Sequence, residues 1–216
     1  MQKFKMMVGP LMASALLVAA PAFAGVGGSV APTYPTGPLH VGDTFPATLT
    51  ITNSSNGANA GDRVSVSNIR HTPSCGEAEV ACTLADPGVF DVSSGTGEAG
   101  TACAGVKFQV SPVNEASGEV QFEASSAWTL GPANKSAGPA SCQIRFMVTV
   151  VKAPRHDSAA SAQLAAQRHP TRVSTISTAQ ATFSSANSRA QGIAMGTSST
   201  SFNATTASAG RGTRNQ

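Results

Sequence analysis

Residues Cys142–Val151 alternate without interruption: Cys142, Ile144, Phe146, Val148 and Val150 fall in one phase, and Gln143, Arg145, Met147 and Thr149 in the other. A period of two with β-branched and aromatic residues on one side describes a strand with one buried face. The cysteine shares the apolar phase, so this strand is predicted to serve as both core and cross-link. Such a strand needs neighbours, and other segments repeat its pattern. Ala47, Leu49 and Ile51 alternate with threonines; Val64, Val66 and Ile69 mark a returning strand over Arg63–Arg70; Val89–Val92 and Val106–Val110 are shorter runs. In Glu119–Ala124, Val120, Phe122 and Ala124 take the inward phase and the glutamates the outward one.

Turn signals separate these runs: His40–Asp43, the Asn53–Asp62 loop with its Asn56-Gly57 dipeptide, Asp86-Pro87-Gly88, Gly95–Gly100 and the polar loop Gly131–Ala140. Asn and Gly tolerate the left-handed backbone that tight turns need. Pro32 and Pro35 confine the lead-in near Ser29–Tyr34 to a sheet edge. No segment sustains a helical period. About seven short strands between turns over Ser29–Lys152 predict an all-β chain, an immunoglobulin-like antiparallel β-sandwich. Leu49, Ile51, Phe108, Phe122, Phe146 and Val148 are expected to share one core, with Trp128 packing at its side.

Residues 1–24 read as a secretory signal peptide. Lys3 and Lys5 precede a short apolar run, Met6–Ala20, and Pro21-Ala22-Phe23-Ala24 ends in an Ala-x-Ala cleavage signal. The run is too short, and too interrupted by Gly9 and Pro10, to span a bilayer. No later segment is long and apolar enough to do so. Removing 24 residues leaves a mature chain of 192 from the 216. The sandwich is expected over 25–154, a Ser/Thr/Ala-rich extension with an added hairpin over 155–203, and a disordered tail over 204–216. Charge divides along the same line. Residues 25–154 carry three Lys and three Arg against ten Asp and Glu, whereas 155–216 carry six Arg against one Asp. The tail's arginines are dispersed, which suits a solvated segment beside an acidic domain and not a nucleic-acid arm.

All four cysteines, Cys75, Cys82, Cys103 and Cys142, lie beyond the cleavage site. An even number in an exported chain points to disulfides. Zinc is the competing reading, but it favours close Cys-x-x-Cys pairs, and the spacings contain none. Four cysteines allow three pairings. The favoured one joins Cys75 to Cys82 locally and Cys103 to Cys142 across strands.

Val41–Asn53, with the order Val-Gly-Asp then Thr-Leu-Thr-Ile-Thr-Asn, resembles the opening strand of bacterial immunoglobulin-like surface domains. Thr72–Gly76, Ala85–Phe90, Gly97–Gly105 and the closing Cys142–Pro154 resemble, in the same order, one branch of these conserved-repeat domains. The resemblance covers about residues 38–157 in a single copy. It implies a β-sandwich in secreted or surface-attached bacterial proteins with structural or adhesive roles.

No catalytic constellation emerges. His40, His71, His156 and His169 share no metal-ligand spacing. His156 and Asp157 are adjacent and so point apart. No serine lies in a Gly-x-Ser-x-Gly elbow, and no glycine-rich loop joins a strand to a helix. Glu119 and Glu123 share an outward strand face, where a solvated role outweighs a glycosidase pair. The expectation is a non-catalytic, extracytoplasmic protein, periplasmic, secreted or surface-bound, without cofactor or metal. It would bind a protein or surface component, and no nucleic acid, through strand edges or loops such as Asn53–Asp62 and Gly131–Ala140. The alternative is a small extracytoplasmic enzyme or metal-binding protein. It would show a cleft gathering a histidine with a carboxylate or a second ligand.

Overall fold

The strand β9 (Ser141–Val150) has the phase its sequence dictates. Cys142, Ile144, Phe146, Val148 and Val150 are buried, while Arg145 and Met147 are exposed. It belongs to a computed structural model that describes residues 26–37, 39–75, 88–152, 172–185 and 191–203. The predicted signal peptide and the 204–216 tail lie outside the described residues.

Ten further strands surround β9: β1 (Gly28–Thr33), β2 (Thr44–Asn53), β3 (Val64–Cys75), β4 (Phe90–Val92), β5 (Gly95–Gly97), β6 (Lys107–Asn114), β7 (Glu119–Ala124), β8 (Thr129–Leu130), β10 (Arg172–Ser185) and β11 (Gln191–Asn203). Every ladder is antiparallel, in the order β1-β2-β9-β5-β6-β7-β3-β10-β11, with β4 also on β9 and β8 on β3. One layer is β1-β2-β9-β4 and the other β3-β10-β11. In chain order these are strands one, two, five and four against three, six and seven of a seven-stranded immunoglobulin sandwich. The chain is therefore an immunoglobulin-like β-sandwich. Its departure is the β5–β6–β7 unit. This unit pairs with β9 on one side and β3 on the other, and so joins the two layers along one flank.

The core forms between the layers. Leu49, Ile51, Phe108, Phe122, Phe146 and Val148 are buried in one cluster, and Trp128 packs half-buried with its ring 5.9 Å from that of Phe108. Ala179, Ala181 and Phe183 of β10 belong to the same cluster. On the flank away from β5–β7, β1 approaches β10 closely enough that a Cβ on Gly28 would strike the Phe183 ring. Only glycine allows that contact. β1 is an end strand of the ladder order, as Pro32 requires.

β3 changes phase part-way along. Val64 is buried and Val66 packs against the core, but Ile69 and His71 are the inward residues further on. The cause is Asn68, whose φ of 49° is left-handed. The pairing with β10 shifts register between Gln180 and Thr182, opposite this point. Asn is among the few residues that accept this conformation in a bulge.

Two local expectations are corrected. In place of the turn expected over Gly95–Gly100, Gly95–Gly97 is a strand, paired with both β6 and β9. A glycine strand lacks the apolar signal because it is chosen for proximity. A Cβ on Gly97 would collide with the Cys103 carbonyl. Gly97→Ala is expected to cost about 1–3 kcal/mol through overpacking, visible as a lower urea midpoint with an unchanged slope. Ala124, expected inside, is exposed, because the inward role of β7 ends at Phe122.

Candidate functional site

The two loops singled out for display meet at one end of the sandwich, at the start of β3. Their hub is Asn53. Its Nδ2 donates to the carbonyls of Asp62 (3.1 Å) and Gly131 (2.9 Å), and its Oδ1 accepts from the Ser55 N–H at 3.0 Å. The Asn53 N–H donates to the Ala140 carbonyl at 2.8 Å, and the Asn134 N–H to the Ala60 carbonyl at 3.2 Å. Arg63 Nη2 reaches the Ala137 carbonyl at 3.1 Å. At the base, Ser185 Oγ donates to Asp62 Oδ2 at 2.6 Å, which ties β10 to the first loop.

Asn53 continues the inward phase of Ala47, Leu49 and Ile51 and is itself buried. A buried amide is tolerated there because three loop backbone groups and the side chain satisfy one another. The result is a single fixed platform that presents Ser54, Asn134, Lys135 and Ser136 to solvent. Lys135 sits at a left-handed turn, φ 58°, at the tip of the second loop.

A second polar group lies inside the core, and no sequence pattern announced it. Tyr34, just past β1, donates its hydroxyl to Nε2 of His71 on β3 at 2.6 Å. His71 Nδ1 donates to the Thr178 carbonyl on β10 at 2.8 Å. This assigns the neutral Nδ1–H tautomer. Ser177 Oγ donates to the Pro73 carbonyl at 2.7 Å nearby. The Phe122 and Phe146 rings flank the imidazole at 6.3 and 5.8 Å. Burial lowers the His71 pKa to about 4, against the opposing effect of the Thr178 bond. Burial likewise pushes the Tyr34 hydroxyl well above its usual range. Both ring nitrogens are occupied by the fold, so His71 links the two layers and is withheld from solvent chemistry.

The arrangement makes stability depend on pH. Unfolded, the ring titrates near 6.5; folded, near 4. As pH falls below about 6.5 the unfolded chain takes up the proton first, so stability falls until the folded ring protonates near pH 4. The loss sums to roughly 3 kcal/mol. Denaturant melts between pH 7.5 and 4.5 should show this slope in the native sequence. His71→Gln should flatten it, whatever its own stability; an unchanged slope would place the titration elsewhere.

The remaining candidates are dispersed. Cys103 and Cys142 form a disulfide with Cα atoms 5.2 Å apart, between the β5–β6 turn and β9. Cys75 ends β3, and its proposed partner Cys82 lies outside the described residues, as do His156 and His169. His40 shares a turn with Asp43, whose Oδ2 accepts the His40 N–H at 2.7 Å. Glu119 faces Arg70 at 3.8 Å, and Glu123 accepts from Ser111 Oγ at 3.4 Å, so the two glutamates have separate partners on the outside of β7. Among the described residues no group of three His, Cys, Asp or Glu is placed to hold a metal ion. Among them, too, no helix is long and apolar enough to cross a membrane.

No family model matches the chain, and no curated protein does. The conserved-repeat family suggested by the motifs thus has no match behind it, and the fold-level part of that resemblance rests on the strand connectivity. Among solved structures the chain is similar to AggA, the major subunit of aggregative adherence fimbriae type I from Escherichia coli. That match has 12% identity over 83% of this chain and 96% of AggA, with a TM-score of 0.31. AvmM, which catalyses macrocyclization in alchivemycin A biosynthesis, gives 12% identity over 89% and 92% at a TM-score of 0.29. A family 123 glycoside hydrolase from Clostridium perfringens gives 8% identity at a TM-score of 0.28, with only 27% of its own length covered. Likenesses at this level identify neither family nor activity.

Proposed function

We propose that this is a non-catalytic, extracytoplasmic immunoglobulin-like protein with a structural or adhesive role, which binds a protein or surface component through its interlocked loops. The observation that carries the reading is the Asn53 hub. It fixes two exposed polar loops, 53–62 and 131–140, into one surface on a rigid sandwich. A surface held in this way loses little conformational entropy when it engages a partner. The buried Cys103–Cys142 bond supports an oxidising compartment, and the signal-peptide pattern read in the sequence over 1–24 supports export. Among the described residues the one buried histidine is not a free base for the enzymatic alternative, since the two nitrogens of His71 face Tyr34 and Thr178.

A short epitope inserted between Lys135 and Ser136 tests compartment and display together. The expected result is a mature chain processed after Ala24, found outside the cytoplasm, with the epitope open to antibody in the native protein. An unprocessed cytoplasmic chain would overturn the export half of the proposal. An epitope reached only after denaturation would overturn the display half.

A further inference from the structure

At the opposite end of β3 from the loop platform, the edge of β6 is only half used. The Ser125 N–H donates to the Lys107 carbonyl at 2.8 Å, which sets the phase of the β6–β7 ladder. Gln109 and Ser111 therefore exchange their backbone bonds with Glu123 and Gln121, and the backbone groups of Val110 and Pro112 point away from β7. On that far side β5 pairs only with Lys107 and Phe108. Among the described residues no strand covers the edge beyond Phe108. Pro112 sits where its missing N–H would have faced outward, so the β7 ladder loses nothing by it.

This edge borders a cleft of about 340 Å³ whose opposite wall is β4. Phe90, Val92, Val110 and Val120 give it an apolar lining, and Asp91, Glu115 and Glu119 add carboxylates. Glu119 already faces Arg70. Asp91 and Glu115 are exposed, and among the described residues no cation lies within ion-pair reach of either. An open strand edge, an apolar lining and uncompensated negative charge call for one kind of occupant. We propose that this cleft binds a short extended peptide carrying lysine or arginine, which adds as a strand to the Val110–Pro112 edge. The peptide backbone would accept from the Val110 N–H and donate to the Val110 and Pro112 carbonyls. Alternate side chains would enter the apolar lining, and a basic one would meet Asp91 and Glu115. Pro112 and the register shift between it and Asn114 keep the available edge short. That limits indiscriminate strand pairing while leaving room for about three peptide residues. The site lies away from the loop platform and does not depend on that reading.

The test is a fluorescence-anisotropy titration of the mature protein with a fluorescein-labelled heptapeptide, SVKVRVS, beside the acidic control SVEVEVS. Saturable binding of the basic peptide alone is expected. Val110→Pro removes the cleft-facing donor together with the valine's share of the lining, and should weaken binding about ten-fold. Glu115→Lys, on an exposed turn, should weaken it about five-fold and reduce its salt sensitivity. No saturable binding up to about 1 mM peptide would overturn the proposal, as would equal binding of the acidic control. A response to Glu115→Lys but none to a folded Val110→Pro protein would also overturn it, because charge would then act without strand addition.

Discussion

Phe146→Ala should lower the unfolding free energy by about 3–5 kcal/mol, the usual cost of truncating a buried aromatic to a methyl group. Phe146 is 2% exposed and lies midway along β9. Its ring stands 5.1 Å from Phe122, 5.8 Å from His71 and 6.4 Å from Tyr34, so it touches residues from both layers. The cavity left behind would open beside the Tyr34–His71 bond, where collapse is resisted by hydrogen-bonded groups that must keep their places. Met147, the next residue, is 42% exposed on the opposite face. Met147→Ala should change stability by less than about 0.5 kcal/mol. Urea melts of the two variants side by side would measure the strand's phase directly. A loss under about 1 kcal/mol for Phe146→Ala would mean that this face is not the core.

Removing the Cys103–Cys142 bond should cost a similar amount. The bond closes a sequence separation of 39, for which the chain-entropy account gives roughly 4 kcal/mol before native strain is subtracted. Both cysteines are fully buried, so a mild reductant alone should leave the native protein oxidised, and reduction should require denaturant. The closed loop contains β6, β7, β8 and the second display loop. A Cys103→Ala, Cys142→Ala double variant should therefore lose hydrogen-exchange protection first across β6 and β7, which the bond anchors to β9. Uniform loss of protection, or a midpoint equal to that of the native protein, would show that the sheet pairing alone holds this unit.

The sequence made the first layer legible because β2 and β9 bury one face each and alternate cleanly, Leu49 and Ile51 opposite Ile144 and Cys142. It made β3 hard to follow for a definite reason. The bulge at Asn68 inverts inside and outside, so Ile69 and His71 fall out of phase with Val64 and Val66. β5 was invisible because glycines were selected for closeness, not for apolar surface. β10 gave a faint signal because its buried side chains over 177–181 are small, Ser177, Thr178, Ala179 and Ala181. The loop platform was half legible. Length and composition marked both loops, but their union at Asn53 joins residues 78 apart to Gly131, which local pattern does not encode. The one local sign was a polar residue continuing an apolar phase. The open edge of β6 depends on which strands stop short, and that is a property of the assembled sheet.

The polar link in the core also orders events in time. Tyr34 and His71 are 37 residues apart, but Thr178 follows His71 by a further 107. A chain emerging N-terminus first has released nine of its strands before the acceptor for the imidazole exists. Until β10 arrives, the Thr178 carbonyl that accepts from the imidazole is missing, and β3 lacks its partner along one edge. Closure is thus postponed to the arrival of the last hairpin, and contacts over such separations form slowly. During that interval the nascent chain is open to pairing along β3, which makes the interval between release of β3 and docking of β10 the time when a holding partner would matter most.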